Sequence, residues 1–181
     1  MSVPARLRDL YAAATRIGAQ LDRTPQGVLD PCGLILKIPP KTRYYWCTPK
    51  NVQTFASTGG DGVHYSYLSD SRLPTDVQPI VMTLPASERM NLIVAESFDE
   101  FFGLGYNVGW FSLEQLVYDP DNAVSYFAQP DPEDPDYKTV RMELIRSHLD
   151  IQPAPLSLAR IAALNASYMR YIDSADDARE T

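Results

Sequence analysis

The chain has 181 residues and a mass of 20.3 kDa, with 45% apolar and 22% charged residues. That is enough chain to bury a core without disulfides or metal, and the composition excludes a disordered chain, a collagen, a coiled coil and a disulfide-knotted miniprotein. The net charge of −7 is confined to two stretches, residues 129–136 and the tail from Asp173 to Thr181, and the rest of the chain is neutral.

Along the chain, Ser2 and Pro4 read as the cap and first turn of a helix. Val3, Leu7, Leu10, Tyr11, Ala14, Ile17 and Leu21 recur at steps of three and four, so the helix runs to about Asp22 with one buried face. Thr24-Pro25-Gln26-Gly27 ends it in a turn. Leu34–Ile38 is a short apolar strand closed by Pro39-Pro40, and Tyr44–Cys47 is a second short β candidate. Thr48-Pro49 reads as the cap and first residue of a short helix with Val52, Phe55 and Ala56 inside, ended by Gly59-Gly60-Asp61-Gly62. Val63–Leu68 alternates, and strands follow at Pro79–Leu84 and Asn91–Glu96.

Ser97 with Glu100 three residues on is a capping box for a helix bearing Phe98, Phe101, Phe102 and Leu104. Ser112 would cap a helix to Tyr118, and Asp119-Pro120 a shorter one to Phe127. Residues 129–136 form an acidic, proline-rich loop, because its prolines forbid continuous helix. Tyr137–Leu149, with Val140, Leu144, Ile145 and Leu149 on one face, and a Ser157-capped helix to Ile172 complete the chain before an acidic tail, 174–181. Strands in the middle third and helices at both ends predict an α+β fold, with one mixed, mostly antiparallel sheet. The expected organisation is a core over 1–128, the acidic loop, and a C-terminal helical pair over 137–173 packed on the core.

No basic stripe suits a duplex, so nucleic acid is not an expected partner. No apolar run reaches the length of a membrane span, and the N-terminus leads into an amphipathic segment rather than an apolar signal core. A cytoplasmic protein is expected, with Cys32 and Cys47 as small buried hydrophobes.

Motifs for chemistry are sparse. The two histidines, His64 and His148, and the two cysteines match no zinc spacing, so neither a metal nor a cofactor is expected. The glycines at 59–62 lack the lysine and hydroxyl residue of a phosphate loop. Asp61 and His64 are near in sequence, but no nucleophile elbow accompanies them, and on a strand residues three apart face opposite ways. Aromatics near glycines, Tyr65, Tyr67, Tyr106, Trp110 and Phe111, read either as core or as interface anchors.

One stretch carries a family pattern. Thr48-Pro49-Lys50-Asn51-Val52-Gln53-Thr54-Phe55-Ala56-Ser57-Thr58-Gly59-Gly60 resembles the proline-led short helix, closed by a glycine pair, that opens the SUKH superfamily core. Asp61–Tyr65 would be the following strand. Asn91–Phe102 is similar to the family's late strand entering an acidic-aromatic helix, and Gly109–Leu116 to segments that close the core in bacterial members. Thr48 stands where an apolar residue is usual, and 27–47 reads as an extra β segment. The resemblance implies helices on one sheet, a protein-binding role and no enzymatic one. Many bacterial relatives are immunity proteins that silence a toxin.

The expectation is therefore a non-enzymatic protein-interaction module, most concretely an immunity-type protein that occludes a basic toxin. Its expected contacts are Asp61, His64, Trp110 and the acidic residues Asp131, Glu133, Asp134 and Asp136. The alternative is a small-molecule-binding protein or enzyme with a pocket near Gly60–His64, lined by Asp61, His64 and Tyr65.

Overall fold

The computed structural model describes residues 3–74, 76–128 and 135–175, with backbone alone at 128 and 135–138. Helix α1 (Ala5–Leu21) starts after Pro4, with no side-chain cap, and ends at Asp22 in the left-handed conformation. Its buried face is Leu7, Leu10, Ala13, Ala14, Ile17 and Gly18, the stripe its periodicity predicts. Ser2 lies outside the described residues.

Five strands then form a simple antiparallel meander: β1 (Ile35–Lys41), β2 (Val52–Ser57), β3 (His64–Leu68), β4 (Ile80–Thr83) and β5 (Asn91–Ala95), side by side in sequence order. The fold is α+β as expected, and the sheet is antiparallel throughout.

Three local expectations are corrected. Strand β1 continues through Pro39 and Pro40 instead of stopping before them. It is an edge strand with ladder bonds on one side only, where a residue lacking an N–H is tolerated. Tyr44–Cys47 is a turn and not a strand, because the Tyr45 N–H is taken by the Thr48 hydroxyl at 2.8 Å rather than by a ladder partner. The expected helix after Pro49 is strand β2. Its register shifts between Thr54 and Ala56, and four of its last four residues are buried. A bulged strand covered on both faces loses period-two alternation, so Val52, Phe55 and Ala56 imitate helical spacing. The opening helix of the SUKH resemblance therefore has no counterpart here.

After β5, helix α2 (Phe98–Leu104) opens on Ser97, whose Oγ accepts the Glu100 N–H at 3.2 Å. The Glu100 carboxylate returns to the Glu96 N–H at 2.6 Å, one residue earlier than a strict capping box. A 3-10 turn over Phe111–Glu114 leads into α3 (Gln115–Tyr118), and Ser112 caps neither. Helix α4 (Ala123–Ala128) follows. Helices α5 (Pro135–His148) and α6 (Leu158–Tyr168) close the fold. In α5 the buried residues are Arg141, Met142 and Ile145, while Val140 is exposed.

On one face of the sheet, Phe55, Tyr65 and Tyr67 meet Phe98 and Phe101 of α2 in edge-on and tilted contacts, 5.2–5.8 Å between ring centroids. Trp110 is fully buried beside them, its ring 5.8 Å from Phe101 and stacked at 24°. Its indole N–H donates to the Phe101 carbonyl at 2.8 Å, its backbone N–H to the Cys32 carbonyl at 2.7 Å, and its carbonyl accepts the Tyr65 hydroxyl at 2.8 Å. One residue, through its side chain and its backbone, thus joins β3, α2 and the segment before β1.

Helix α6 covers the other sheet edge. The Asn165 amide bonds both the N–H and the C=O of Ile93, at 3.0 and 2.9 Å, and so satisfies edge groups of β5 that would otherwise be open to another strand. Arg160 holds Glu96 and Glu100, each at 2.8 Å, which clamps α6 to the start of α2. The end of the described chain is tied down as well: the Lys50 N–H donates to the Asp173 carbonyl and the Asn51 amide to that of Tyr171.

Candidate protein-binding face

Among the described residues eight large hydrophobic side chains stand exposed. Six fall in two short segments: Tyr45 and Trp46, and Phe111, Tyr118, Val124 and Tyr126. Phe111 and Tyr126 each keep 49% of their surface in solvent and Tyr118 47%. Such clustering is the usual mark of an interaction surface, whereas single exposed apolar residues need no explanation.

The Gly59–Gly62 turn lies against Tyr45 of the first segment and carries Asp61, whose charge is felt by Glu114 and Tyr118 of the second. Gly59, Asp61 and Gly62 all have positive φ, at 91°, 46° and 74°. The turn closes through the Val63 N–H to the Gly60 carbonyl at 3.1 Å. At Gly62 a Cβ would stand 3.1 Å from the Tyr45 ring, so a missing side chain lets that ring settle on the turn. On the other flank Asp61 is exposed, and its charge reaches Glu114 and Tyr118. Partial burial, reinforced by the Asp61 charge, raises the Glu114 carboxyl above its usual range. Burial, with the charges of Glu114 and Asp61 adding to it, raises the Tyr118 hydroxyl. Among the described residues neither carboxylate has a hydrogen bond or an ion pair.

The far segment is shaped by close packing below it. At Gly33, φ is 81° and a Cβ would lie 2.4 Å from the Phe111 nitrogen. The Phe111–Glu114 turn therefore sits directly on backbone, with Trp110 and Leu113 turned inward and Phe111 outward. In α4, Ala123 and Phe127 are buried four residues apart, which leaves Val124 and Tyr126 outside.

Of the expected contacts whose side chains are described, Asp61 is exposed, and Trp110 and His64 are not. Trp110 is a core residue, presented to no partner; its neighbour Phe111 takes the exposed place. His64 is fully buried. A carbonyl can only accept, so the His64 Nδ1–H donates to the Gly62 carbonyl at 2.7 Å, and Nε2 accepts the Thr48 hydroxyl at 3.0 Å. The Thr48 oxygen in turn accepts the Tyr45 N–H. This relay needs a neutral imidazole and ties the 45–48 turn to the 59–62 turn, so His64 supports the face from beneath. Asp61 takes no part in it, and no Asp–His dyad forms. Asp131, Glu133 and Asp134 lie outside the described residues, as does the tail from Asp176. Asp136 falls in the first turn of α5, where the backbone alone is described.

Burial, with the Lys37 charge assisting and against the pull of the Gly62 carbonyl, holds the His64 pKa below its ordinary value. The unfolded chain then takes up a proton at this site more readily than the folded one. Stability from His64 is complete above about pH 6.5 and falls as pH drops from there towards the folded value. Urea titrations at pH 7.5 and 5.5 should show this loss in the native chain, and a smaller one in His64→Gln.

Tyr45, Trp46, Glu114, Tyr118 and Tyr126 escaped the sequence reading, and Phe111 entered it only as one of five aromatics that could be core or interface anchor. For α4 the signal was present in the spacing of Ala123 and Phe127; for the others no local pattern separates an exposed aromatic from a buried one.

Among the described residues no helix is long and apolar enough to cross a membrane, and no group of three His, Cys, Asp or Glu side chains is placed to hold a metal. Neither Cys32 nor Cys47 forms a disulfide, and both are buried. Neither the models of known protein families nor the curated proteins give a match to this chain.

Proposed function

We propose that this chain is a non-enzymatic protein-interaction module of the immunity type, which binds a basic toxin and occludes it in the cytoplasm. The observation that carries this reading is the exposure of five aromatic side chains in two short segments, Tyr45 and Trp46, and Phe111, Tyr118 and Tyr126. A rigid aromatic face supplies anchors at low entropic cost, and the net charge of −7 steers a basic partner towards it. The SUKH resemblance lends less than its sequence suggested, since its opening helix is strand β2. The pocket alternative is weakened by His64 and Tyr65. Both are fully buried, and their polar atoms are engaged by Thr48, Gly62 and Trp110.

The test is capture from native lysate with three baits: the native chain, a Phe111→Ser/Tyr118→Ser/Tyr126→Ser variant, and Leu158→Ser as an exposed apolar control on α6. A basic protein should be held by the first and third, and its affinity should fall about tenfold or more in the triple variant, the scale of lost interface anchors. Equal capture by a folded triple variant would remove the aromatic face from the reading.

A further inference from the structure

A groove of about 200 Å³ opens beside the turn at residues 45–48. Arg43, Trp46 and Lys50 line it, and all three are exposed. The buried residues of its wall are Thr48 and Pro49, and the Thr48 hydroxyl is already engaged by His64 and by the Tyr45 N–H. The charges along the wall are thus a guanidinium and an ammonium, with the Trp46 ring as apolar surface between them and the turn. Among the described residues no acidic side chain lines the groove.

Ala175 lines it as well, and Ala175 is the last described residue before the acidic segment Asp176-Asp177-Ala178-Arg179-Glu180-Thr181. Two hydrogen bonds fix the chain at this point. The Lys50 N–H donates to the Asp173 carbonyl at 2.9 Å, and the Asp173 N–H to the Asn51 side-chain oxygen at 3.0 Å. Successive Cα atoms are about 3.8 Å apart, so Asp176 and Asp177 are one and two such steps from a residue of the groove wall.

We propose that this groove is a site for an acidic peptide and that its occupant is the chain's own segment 176–181, with the Asp176 and Asp177 carboxylates on Arg43 and Lys50 and the backbone laid against the Trp46 ring. The charges are complementary, since two lining cations meet a segment with three acids and one base. Each exposed ion pair is weak alone, but a short tether supplies the segment at an effective concentration of about millimolar. An acidic stretch of another protein lacks that advantage. Self-docking holds whether or not the aromatic face binds a partner. Trp46 is one of the exposed aromatics, so a partner that uses it has to displace the segment.

The test is backbone nitrogen relaxation of the full chain by NMR. The amides of Asp177 and Ala178 should show order parameters above about 0.6, the level below which a backbone is flexible. Arg43→Gln/Lys50→Gln should bring them below it. Lys41→Gln removes an exposed cation outside the groove and should leave them unchanged. A blocked Asp-Asp-Ala-Arg-Glu-Thr peptide is then titrated into the full chain carrying Asp176→Asn/Asp177→Asn/Glu180→Gln. It should move the indole signal of Trp46, one of two tryptophans in the chain. Adding Arg43→Gln/Lys50→Gln should weaken that binding about fivefold, the scale of two exposed ion pairs. Flexible amides at Asp177 and Ala178 in the native chain would overturn the proposal, as would order left unchanged by the groove substitutions. Peptide binding beside a flexible native segment would assign the groove to an acidic stretch from elsewhere and overturn self-docking.

Discussion

Replacing Trp110 with alanine is expected to lower stability by about 3–5 kcal/mol, the cost of emptying a large aromatic site in a packed core. The side chain is fully buried, stacks on Phe101 and donates its indole N–H to the Phe101 carbonyl. Its removal leaves a void between α2 and β3 and a Phe101 carbonyl with only the long, 3.4 Å bond from the Gly105 N–H. Against a typical total of about 5–15 kcal/mol, this is enough to leave part of the chain unfolded at ambient temperature. Trp110→Phe keeps most of the volume and loses the donor, so it should cost roughly 1–3 kcal/mol and remain measurable by urea titration. Were Trp110 a surface contact, both substitutions would be near neutral for folding and would act on partner affinity alone.

Gly33→Ala is expected to cost about 2–4 kcal/mol, from a left-handed backbone together with overpacking against its neighbour. The added Cβ would meet the Phe111 nitrogen at 2.4 Å and its Cα at 2.7 Å, and backbone atoms cannot rotate aside. The Phe111–Glu114 turn must move outward, so partner affinity should fall along with thermal stability. Gly60→Ala is the control. Nothing lies within 4 Å of a Cβ there, so its melting temperature should match that of the native chain. A Gly33→Ala chain that melts like Gly60→Ala would show that the Phe111 turn is not seated on this glycine.

Much of the architecture was legible because local chemistry was enough to specify it. The stripe from Leu7 to Ile17 fixes α1 and its inner face, since a helix with one apolar side has one way to bury it. Ser97 and Ser157 cap the helices they were expected to cap. The glycines at 59 and 62 make a turn because the positive φ they adopt is costly for other residues. Strands β3, β4 and β5 fall where short apolar runs lie between turn residues.

The candidate site was less legible. Asp61 is exposed because it sits at a turn tip, which is a local property. Trp110 and Phe111 are adjacent aromatics of similar propensity, and only the packing of Gly33 and Phe101 decides which turns inward. His64 was expected as a contact, yet Thr48, sixteen residues away, closes it into the core.

By itself, then, the sequence determined the fold class, the first helix, the caps, the turns and the surplus of negative charge. These follow from spacing, backbone preference and counting. Tertiary structure decided that residues 52–57 are a bulged central strand and that β1 can carry two prolines at an edge. It decided also that the Tyr45 ring settles on the Gly62 turn and that Phe111 and Tyr118 stay exposed while Trp110 turns inward. Pairing and burial depend on which distant segments meet, and no local window of the chain contains that contact.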